Sequence, residues 1–150
     1  MSSSRMQSDE PVEAHERSVE NFFDTLTDDY TAAIERCFPR YREMLWALLD
    51  YLPRDRLFNS ILELGCGTGN LSVILKKAFP TASLRLVDVS GESLDVCRSR
   101  IAQSENCNFD QRDFRNLAFG RNSFDLVVSS ISIHHLDSAE KQTLFCQVHG

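Results

Sequence analysis

The residues best suited to chemistry in this chain lie between Glu63 and Gly69, a stretch that reads ELGCGTG. It follows directly on a short apolar run that begins at Ile61. Because glycine has no Cβ, the chain can turn tightly here and a ligand can lie directly against the backbone. The helix predicted to follow would present unpaired N–H groups and a partial positive charge, which suit an anionic group. The loop therefore predicts a ligand site.

A second candidate residue, Asp88, stands 19 residues after Gly69, at the end of the next predicted strand. A carboxylate in this position can accept hydrogen bonds from both hydroxyls of a ribose. The alternative is a glycine-rich turn accompanied by an unrelated surface aspartate, and a glycine loop alone is a weak signal. The combination of strand, loop, helix and spaced acid favours a nucleoside-binding site.

The spacing of the glycines indicates which nucleoside. Dinucleotide-binding folds favour GxGxxG, whereas this loop is GxGxG with Glu63 two residues before its first glycine. In this respect it resembles motif I of the class I S-adenosylmethionine-dependent methyltransferases. The resemblance covers about residues 20–150 and implies S-adenosyl-L-methionine as the cofactor.

The resemblance also implies roles for individual residues. The methionine part of the cofactor would lie over the glycine loop, with Glu63 supporting its amino-acid end. Asp88 would bind the ribose, and Val89 would lie beside the adenine. The residues implied to form the loop itself are Gly65, Cys66, Gly67 and Gly69.

Two later segments extend the resemblance. The stretch QRDF resembles the segment after the third strand, where an acid meets the adenine amino group and its neighbour packs on the ring. It implies adenine contacts for Asp113 and Phe114, although an exposed acid at a strand end is the alternative. The stretch SSISIHHL resembles the motif after the fourth strand and implies that Ser130 lies beside the methionine moiety.

The adjacent His134 and His135 in that last stretch have no settled role. They could act as bases, but methyl transfer often needs only a nucleophile held in line with the sulfonium. A structural or orienting role is at least as well supported, so the catalytic residues are left unassigned. No third ligand has a spacing that suits a metal, and no metal site is predicted.

Ahead of the loop, the stretch CFPRY resembles a P-x-Y segment found in a subgroup of these enzymes. The subgroup includes the carboxy-S-adenosylmethionine-dependent tRNA wobble-uridine enzymes, which transfer a carboxymethyl group, and other small methyltransferases. The resemblance implies that Tyr41 closes over the methionine end, whereas the alternative is a core tyrosine on an amphipathic helix. The loop GCGTG is the common methyltransferase form, which favours ordinary S-adenosylmethionine.

The elements that position these residues predict an α/β fold. Polar residues 1–15 predict a disordered tail, residues 16–52 an N-terminal helical lid, and residues 58–150 the S-adenosylmethionine-binding domain. Alternation of strands and helices indicates a Rossmann-like parallel sheet, for which the resemblance implies the strand order 3-2-1-4. The predicted strands are 61–64, 84–89, 107–111 and 124–130, and the helices 70–79, one capped by Ser90, and one from Asp137 or Ser138.

The family's sheet has seven strands, whereas this sequence supplies four and stops at Gly150. We therefore expect an incomplete domain, or one whose edge is covered by a partner. The fourth strand, with Leu126, Val127 and Val128, would be an open edge with apolar side chains on both faces. Such an edge predicts self-association.

Composition narrows the remaining possibilities. A net charge of −6 argues against a large nucleic-acid-binding face, and no apolar run approaches the ~20 residues that span a bilayer. The first ten residues, MSSSRMQSDE, lack the apolar stretch of a signal peptide. Five scattered cysteines without a CxxC pair suit reduced thiols, which predicts a cytoplasmic location.

The leading functional hypothesis is methyl transfer from S-adenosylmethionine to a small-molecule acceptor, which the sequence does not identify. A tRNA-modifying transferase of the same fold is an alternative, and a basic surface elsewhere in the protein would favour it. A non-catalytic cofactor-binding module is a second alternative. An NAD-dependent dehydrogenase is a more distant one.

Overall fold

The computed structural model describes residues 33–34, 36–101 and 105–149. The predicted tail of residues 1–15 and the first part of the predicted lid lie outside these ranges. The elements in chain order are α1 (Tyr41–Asp50), β1 (Ser60–Leu64), α2 (Asn70–Ala78), β2 (Ser83–Asp88), α3 (Gly91–Ile101), β3 (Cys107–Gln111), a 3-10 helix (Phe114–Asn116), β4 (Leu126–Ser129), a second 3-10 helix (Ile133–His135) and α4 (Ser138–His149).

The strands form a single parallel sheet in the order β3-β2-β1-β4. Strand β1 pairs with β2 on one side and β4 on the other, so that Glu63 lies opposite both Leu86 and Val128. Strand β2 in turn pairs with β3. The predicted strand order is confirmed, and β4 is an edge of this sheet, as expected from the sequence.

Alternate side chains of β1 point into two separate cores. Ile61 belongs to a core with residues of α1, α2 and α3, whereas Leu62 and Leu64 belong to a core that includes Leu144 of α4. Helices therefore cover both faces of the sheet, which explains why the apolar side chains of its central strands are buried on either face. This is the doubly wound arrangement that the alternation of elements predicted.

Local hydrogen bonds define where the helices begin. The Ser90 hydroxyl accepts from the backbone N–H of Ser93 at 3.1 Å, which confirms the predicted cap of α3. At α4 the Asp137 carboxylate accepts from the N–H of Glu140, and the Glu140 carboxylate accepts from the N–H of Asp137, both at 2.8 Å. This reciprocal pair is a capping box.

The apolar stripes of α1 and α4 are wider than the surfaces they bury. On α1 only Tyr41 and Leu45 are buried. Their core is the one that contains Ile61, so this helix packs directly on the sheet domain. On α4, Leu144 is buried, but Phe145 remains 54% exposed. The other exposed large apolar residues on these helices are Met44, Trp46, Leu48 and Val148.

Among the described residues, none of the helices has both the length and the apolar composition that crossing a lipid bilayer requires.

Candidate functional site

A cleft that is open to solvent lies where the strands end. Carboxyl ends of parallel strands meet at one edge of a sheet, and this edge is where ligands bind in open α/β folds. Of the eleven predicted site residues, all but Gly69 line this cleft. They are Tyr41, Glu63, Gly65, Cys66, Gly67, Asp88, Val89, Asp113, Phe114 and Ser130.

Glycine is required at two positions of the loop for different reasons. Gly65 has φ +69°, and a Cβ there would lie 2.1 Å from the Ser132 hydroxyl oxygen. Gly69 has φ +87°, and a Cβ there would lie 2.6 Å from the Cys97 sulfur. Gly69 thus begins α2 and allows α3 to approach. It does not line the cleft, unlike Gly65, Cys66 and Gly67, the other residues implied to form the loop.

Asp88 ties the end of β2 to the glycine loop. One carboxylate oxygen accepts from the N–H of Gly67 at 2.7 Å, and the other accepts from the N–H of Ser90 at 3.0 Å. The bonds orient the group at the cleft, where it is half-buried.

Glu63 is a fully buried acid that lines the cleft. Its carboxyl accepts from the Ser72 hydroxyl at 2.6 Å. Burial raises the pKa of Glu63 to about 8, and the Ser72 bond opposes that rise only in part. Glu63 is therefore mostly protonated at neutral pH in the protein without a ligand.

Two thiols lie beneath the loop. The bond to Cys97 and burial together raise the pKa of the Cys66 thiol, so Cys66 stays uncharged where it lines the cleft. Cys97 in turn donates to the Ser72 hydroxyl at 3.6 Å. The two thiols and Ser72 thus connect the loop and helices α2 and α3 to the buried Glu63.

Tyr41 brings α1 to the opposite wall of the cleft. Burial raises the pKa of its hydroxyl, although the neighbouring side chains of Asn70 and Ser130 lower it. The Ser130 hydroxyl oxygen is itself buried and has no hydrogen bond of adequate geometry. A buried hydroxyl without a hydrogen-bond partner at a cleft wall is costly, which indicates a place where a ligand group can bind.

Asp113 and Phe114 lie where β3 leads into the first 3-10 helix. Asp113 caps that helix by accepting from the N–H of Arg115 at 2.8 Å. The Phe114 ring is buried at the wall of the cleft, where it can pack on a planar group.

The cleft also contains residues to which the sequence analysis gave no role. His135 lines it, and desolvation, aided by His134 and Arg115, lowers the pKa of its imidazole. Ile131 has φ 54°, an uncommon conformation for a β-branched residue. Strain of this kind clusters at functional sites. Other lining residues are Ile34, Thr68, Asn70, Leu71, Arg115, Ser132 and Leu136.

Arg100 of α3 supports the loop from outside. Its guanidinium donates to the carbonyl of Thr68 at 2.7 Å and to the side chain of Asn70 at 2.8 Å. Nothing in the local sequence marks this arginine, because its partners are 30 residues or more away along the chain. Within the described ranges, no three His, Cys, Asp or Glu side chains are grouped so that they could hold a metal ion.

Comparison with known proteins identifies the family. Residues 61–150 match the family described as "Methyltransferase domain". The chain belongs to this methyltransferase family. The resemblance inferred from the glycine loop is thereby confirmed.

Individual relatives are similar over part of their length. The malonyl-[acyl-carrier protein] O-methyltransferase 1 of Ilyobacter polytropus is 32% identical over 78 residues, which cover 52% of this chain and 29% of that protein. The corresponding enzyme of Halalkalibacterium halodurans is 33% identical over 95 residues, which cover 60% of this chain and 35% of that protein. The matched part thus spans about a third of these relatives.

A solved structure shares the fold across almost the whole chain. Phosphoethanolamine N-methyltransferase 1 of Haemonchus contortus, in complex with phosphoethanolamine and S-adenosylhomocysteine, superposes with a TM-score of 0.77 and 20% identity. The match covers 97% of this chain and 32% of that chain. It confirms the Rossmann-like methyltransferase fold.

Proposed function

We propose that this chain binds S-adenosyl-L-methionine and forms the cofactor-binding part of an enzyme that transfers a methyl group to a small-molecule acceptor. The observation that carries the proposal is the convergence of the predicted cofactor residues on one cleft. Family membership supports it, as does the S-adenosylhomocysteine bound in the Haemonchus enzyme.

The polar and aromatic side chains that line the cleft fit each part of this cofactor. The acids Glu63 and Asp88 suit an ammonium group and a ribose, respectively. Asp113 suits an exocyclic amino group, and the buried Phe114 offers a flat apolar surface to adenine. The unsatisfied Ser130 hydroxyl suits a polar group of the methionine moiety.

When bound, S-adenosylmethionine supplies a methyl group already activated on a positive sulfur. The residues of this chain then need to bind, align and exclude water. Tyr41 lines one wall of the cleft, and the lowered pKa of His135 favours the form of its imidazole that can accept a hydrogen bond from the methyl acceptor. We assign residues 58–150 to the binding domain, residues 16–52 to the lid, and the protein to the cytoplasm, as the sequence predicted.

Asp88→Ala tests the cofactor site. The variant loses charge-assisted hydrogen bonds to the ribose, each worth about 1.5–3 kcal/mol before water compensates, so we expect at least about tenfold weaker binding. Calorimetric titration with S-adenosylhomocysteine measures this. Asp110→Ala is the matched control, because Asp110 lies on β3 and pairs with Arg85 away from the cleft. Unchanged affinity in a folded Asp88→Ala variant would refute the ribose assignment.

A second experiment addresses the acceptor. The chain is incubated with S-adenosylmethionine carrying a labelled methyl group, together with either a low-molecular-mass cell extract or unmodified tRNA. Label in the small-molecule fraction supports the proposal. Label in tRNA supports the tRNA-modifying alternative. Cofactor binding without turnover in the full-length protein would support a non-catalytic module.

A further inference from the structure

The carboxylate of Asp113 is held by two bonds to a single neighbour. One oxygen accepts from the backbone N–H of Arg115 and the other from its guanidinium, both at 2.8 Å. Only 18% of the Asp113 side chain is exposed, and the Arg115 side chain is 25% exposed. Both residues line the cleft, so this pair belongs to its wall.

Arg115 also lies beside Glu140. Its Nε is 2.8 Å from a carboxylate oxygen of Glu140, an ion pair in which the buried Nε–H makes no hydrogen bond of adequate geometry. The Glu140 side chain is one third exposed. The other Glu140 oxygen accepts from the N–H of Asp137 in the capping box of α4. A continuous chain of charged contacts therefore runs from Asp113 through Arg115 to the start of α4.

The arrangement does not suit an anion site. Arg115 stands between two carboxylates, so the three side chains together carry one net negative charge. A site that bound an anionic methyl acceptor through this arginine would need a net positive charge. The geometry of Arg115 instead suits a brace that fixes the direction of the Asp113 carboxylate.

We propose that Arg115 and Glu140 are positioning residues that hold Asp113 for recognition of the adenine amino group. The inference rests on the proposed function, in which Asp113 faces the base. Each Asp113 oxygen has two acceptor positions, and Arg115 occupies one on each. The contacts with Arg115 thus fix the direction of the remaining acceptor positions of Asp113. Without them the carboxylate can rotate, and selectivity for a 6-amino over a 6-oxo purine decreases.

The experiment compares S-adenosylhomocysteine with S-inosylhomocysteine, in which a 6-oxo group replaces the 6-amino group and N1 carries a proton. In the unmodified chain the 6-oxo group meets a carboxylate instead of donating to it, so we expect at least about tenfold weaker binding of the inosyl ligand. In Arg115→Ala that ratio should decrease at least threefold. Glu140→Gln should decrease it less, because glutamine preserves the capping box and removes only the charge that holds Arg115.

Arg85→Ala is the matched control. Arg85 forms a comparable bridge to Asp110, at 2.7 Å between β2 and β3, and does not line the cleft. Its loss should leave the ligand ratio unchanged. A merely structural brace would lower the stability, or the affinity for both ligands equally, without altering their ratio.

The outcomes separate this inference from the function on which it rests. If the unmodified chain binds neither ligand, the proposed function fails. If it prefers the adenosyl ligand and both Arg115→Ala and Glu140→Gln keep the full preference while folded, the positioning role is wrong and the proposed function stands. A decreased ratio in either folded variant, with Arg85→Ala unchanged, supports the inference.

Discussion

At the scale of single residues, Glu63 combines complete burial with a position at the cleft wall. Burial raises its pKa to about 8, above the ordinary value of 4.5. The carboxyl therefore keeps its proton at pH 7 while the cleft holds no cation. A bound ammonium group would favour the charged form and lower this pKa.

Glu63→Gln tests this coupling between charge and binding. We expect the unmodified chain to release up to about one proton per S-adenosylhomocysteine bound at pH 7, and the variant to release almost none. Calorimetry in buffers of different ionisation enthalpy counts the protons. The release should fade above pH 8, where Glu63 is already ionised, and well below it, where the proton is retained on binding.

The matched control for this experiment is Glu92→Gln, which neutralises an exposed acid in the first turn of α3. It should release as many protons as the unmodified chain. Equal release from Glu63→Gln would show that the protons come from another group.

At the scale of elements, the contact between α2 and α3 depends on the absence of a side chain at Gly69. Gly69→Ala would place a Cβ 2.6 Å from the Cys97 sulfur in a backbone conformation with φ +87°. We expect a loss of about 1–3 kcal/mol in the free energy of unfolding, measured by urea titration. Gly120→Ala is the control, since its Cβ would meet Ser123 at an ordinary 3.4 Å. Equal stability of the two variants would contradict the proposed packing constraint.

Helix α1 makes two separable contributions, one to the cleft and one to the core. Tyr41→Phe removes a hydroxyl at the cleft, so we expect binding of S-adenosylhomocysteine to weaken several-fold with little change in stability. Leu45→Ala empties a fully buried position, and we expect it to cost about 2–5 kcal/mol of stability.

Calorimetry and urea titration measure the two effects of these α1 variants. Tyr51→Phe serves as control, because Tyr51 is 88% exposed. Normal affinity in Tyr41→Phe would exclude Tyr41 from the cofactor site.

At the scale of the whole molecule, one side of the sheet ends in the partly exposed strand β4. The neighbouring helix α4 leaves Phe145 54% exposed. An edge strand presents unpaired backbone groups, and apolar surface beside it favours association. We therefore predict that the 150-residue chain self-associates through β4 and α4.

Sedimentation at increasing protein concentration tests this prediction. Phe145→Glu should shift the chain towards monomer, because a buried charge opposes the contact. Trp46→Glu is the control, since Trp46 is 47% exposed on α1 and should have no effect. A chain that stays monomeric throughout would contradict the prediction.

Much of the fold follows from local patterns in the sequence. Apolar runs, glycines, prolines and caps determine the conformation of residues close to them in the chain. The predicted bounds of β1, α2 and β2 therefore agree with the structure within one residue. The apolar residues of α1 are less informative about burial. Their spacing does not distinguish the buried Leu45 from the exposed Leu48, because burial depends on where the partner surface lies.

By itself the sequence determined the fold class, the family and the residues gathered around the glycine loop and Asp88. These features depend on backbone turns and strand ends, which leave a fixed spacing along the chain. Only the tertiary structure decided that Gly69 serves helix packing and that Arg115 meets Glu140. Contacts between residues 25 positions apart are formed by the approach of separate elements, and no local pattern specifies that approach.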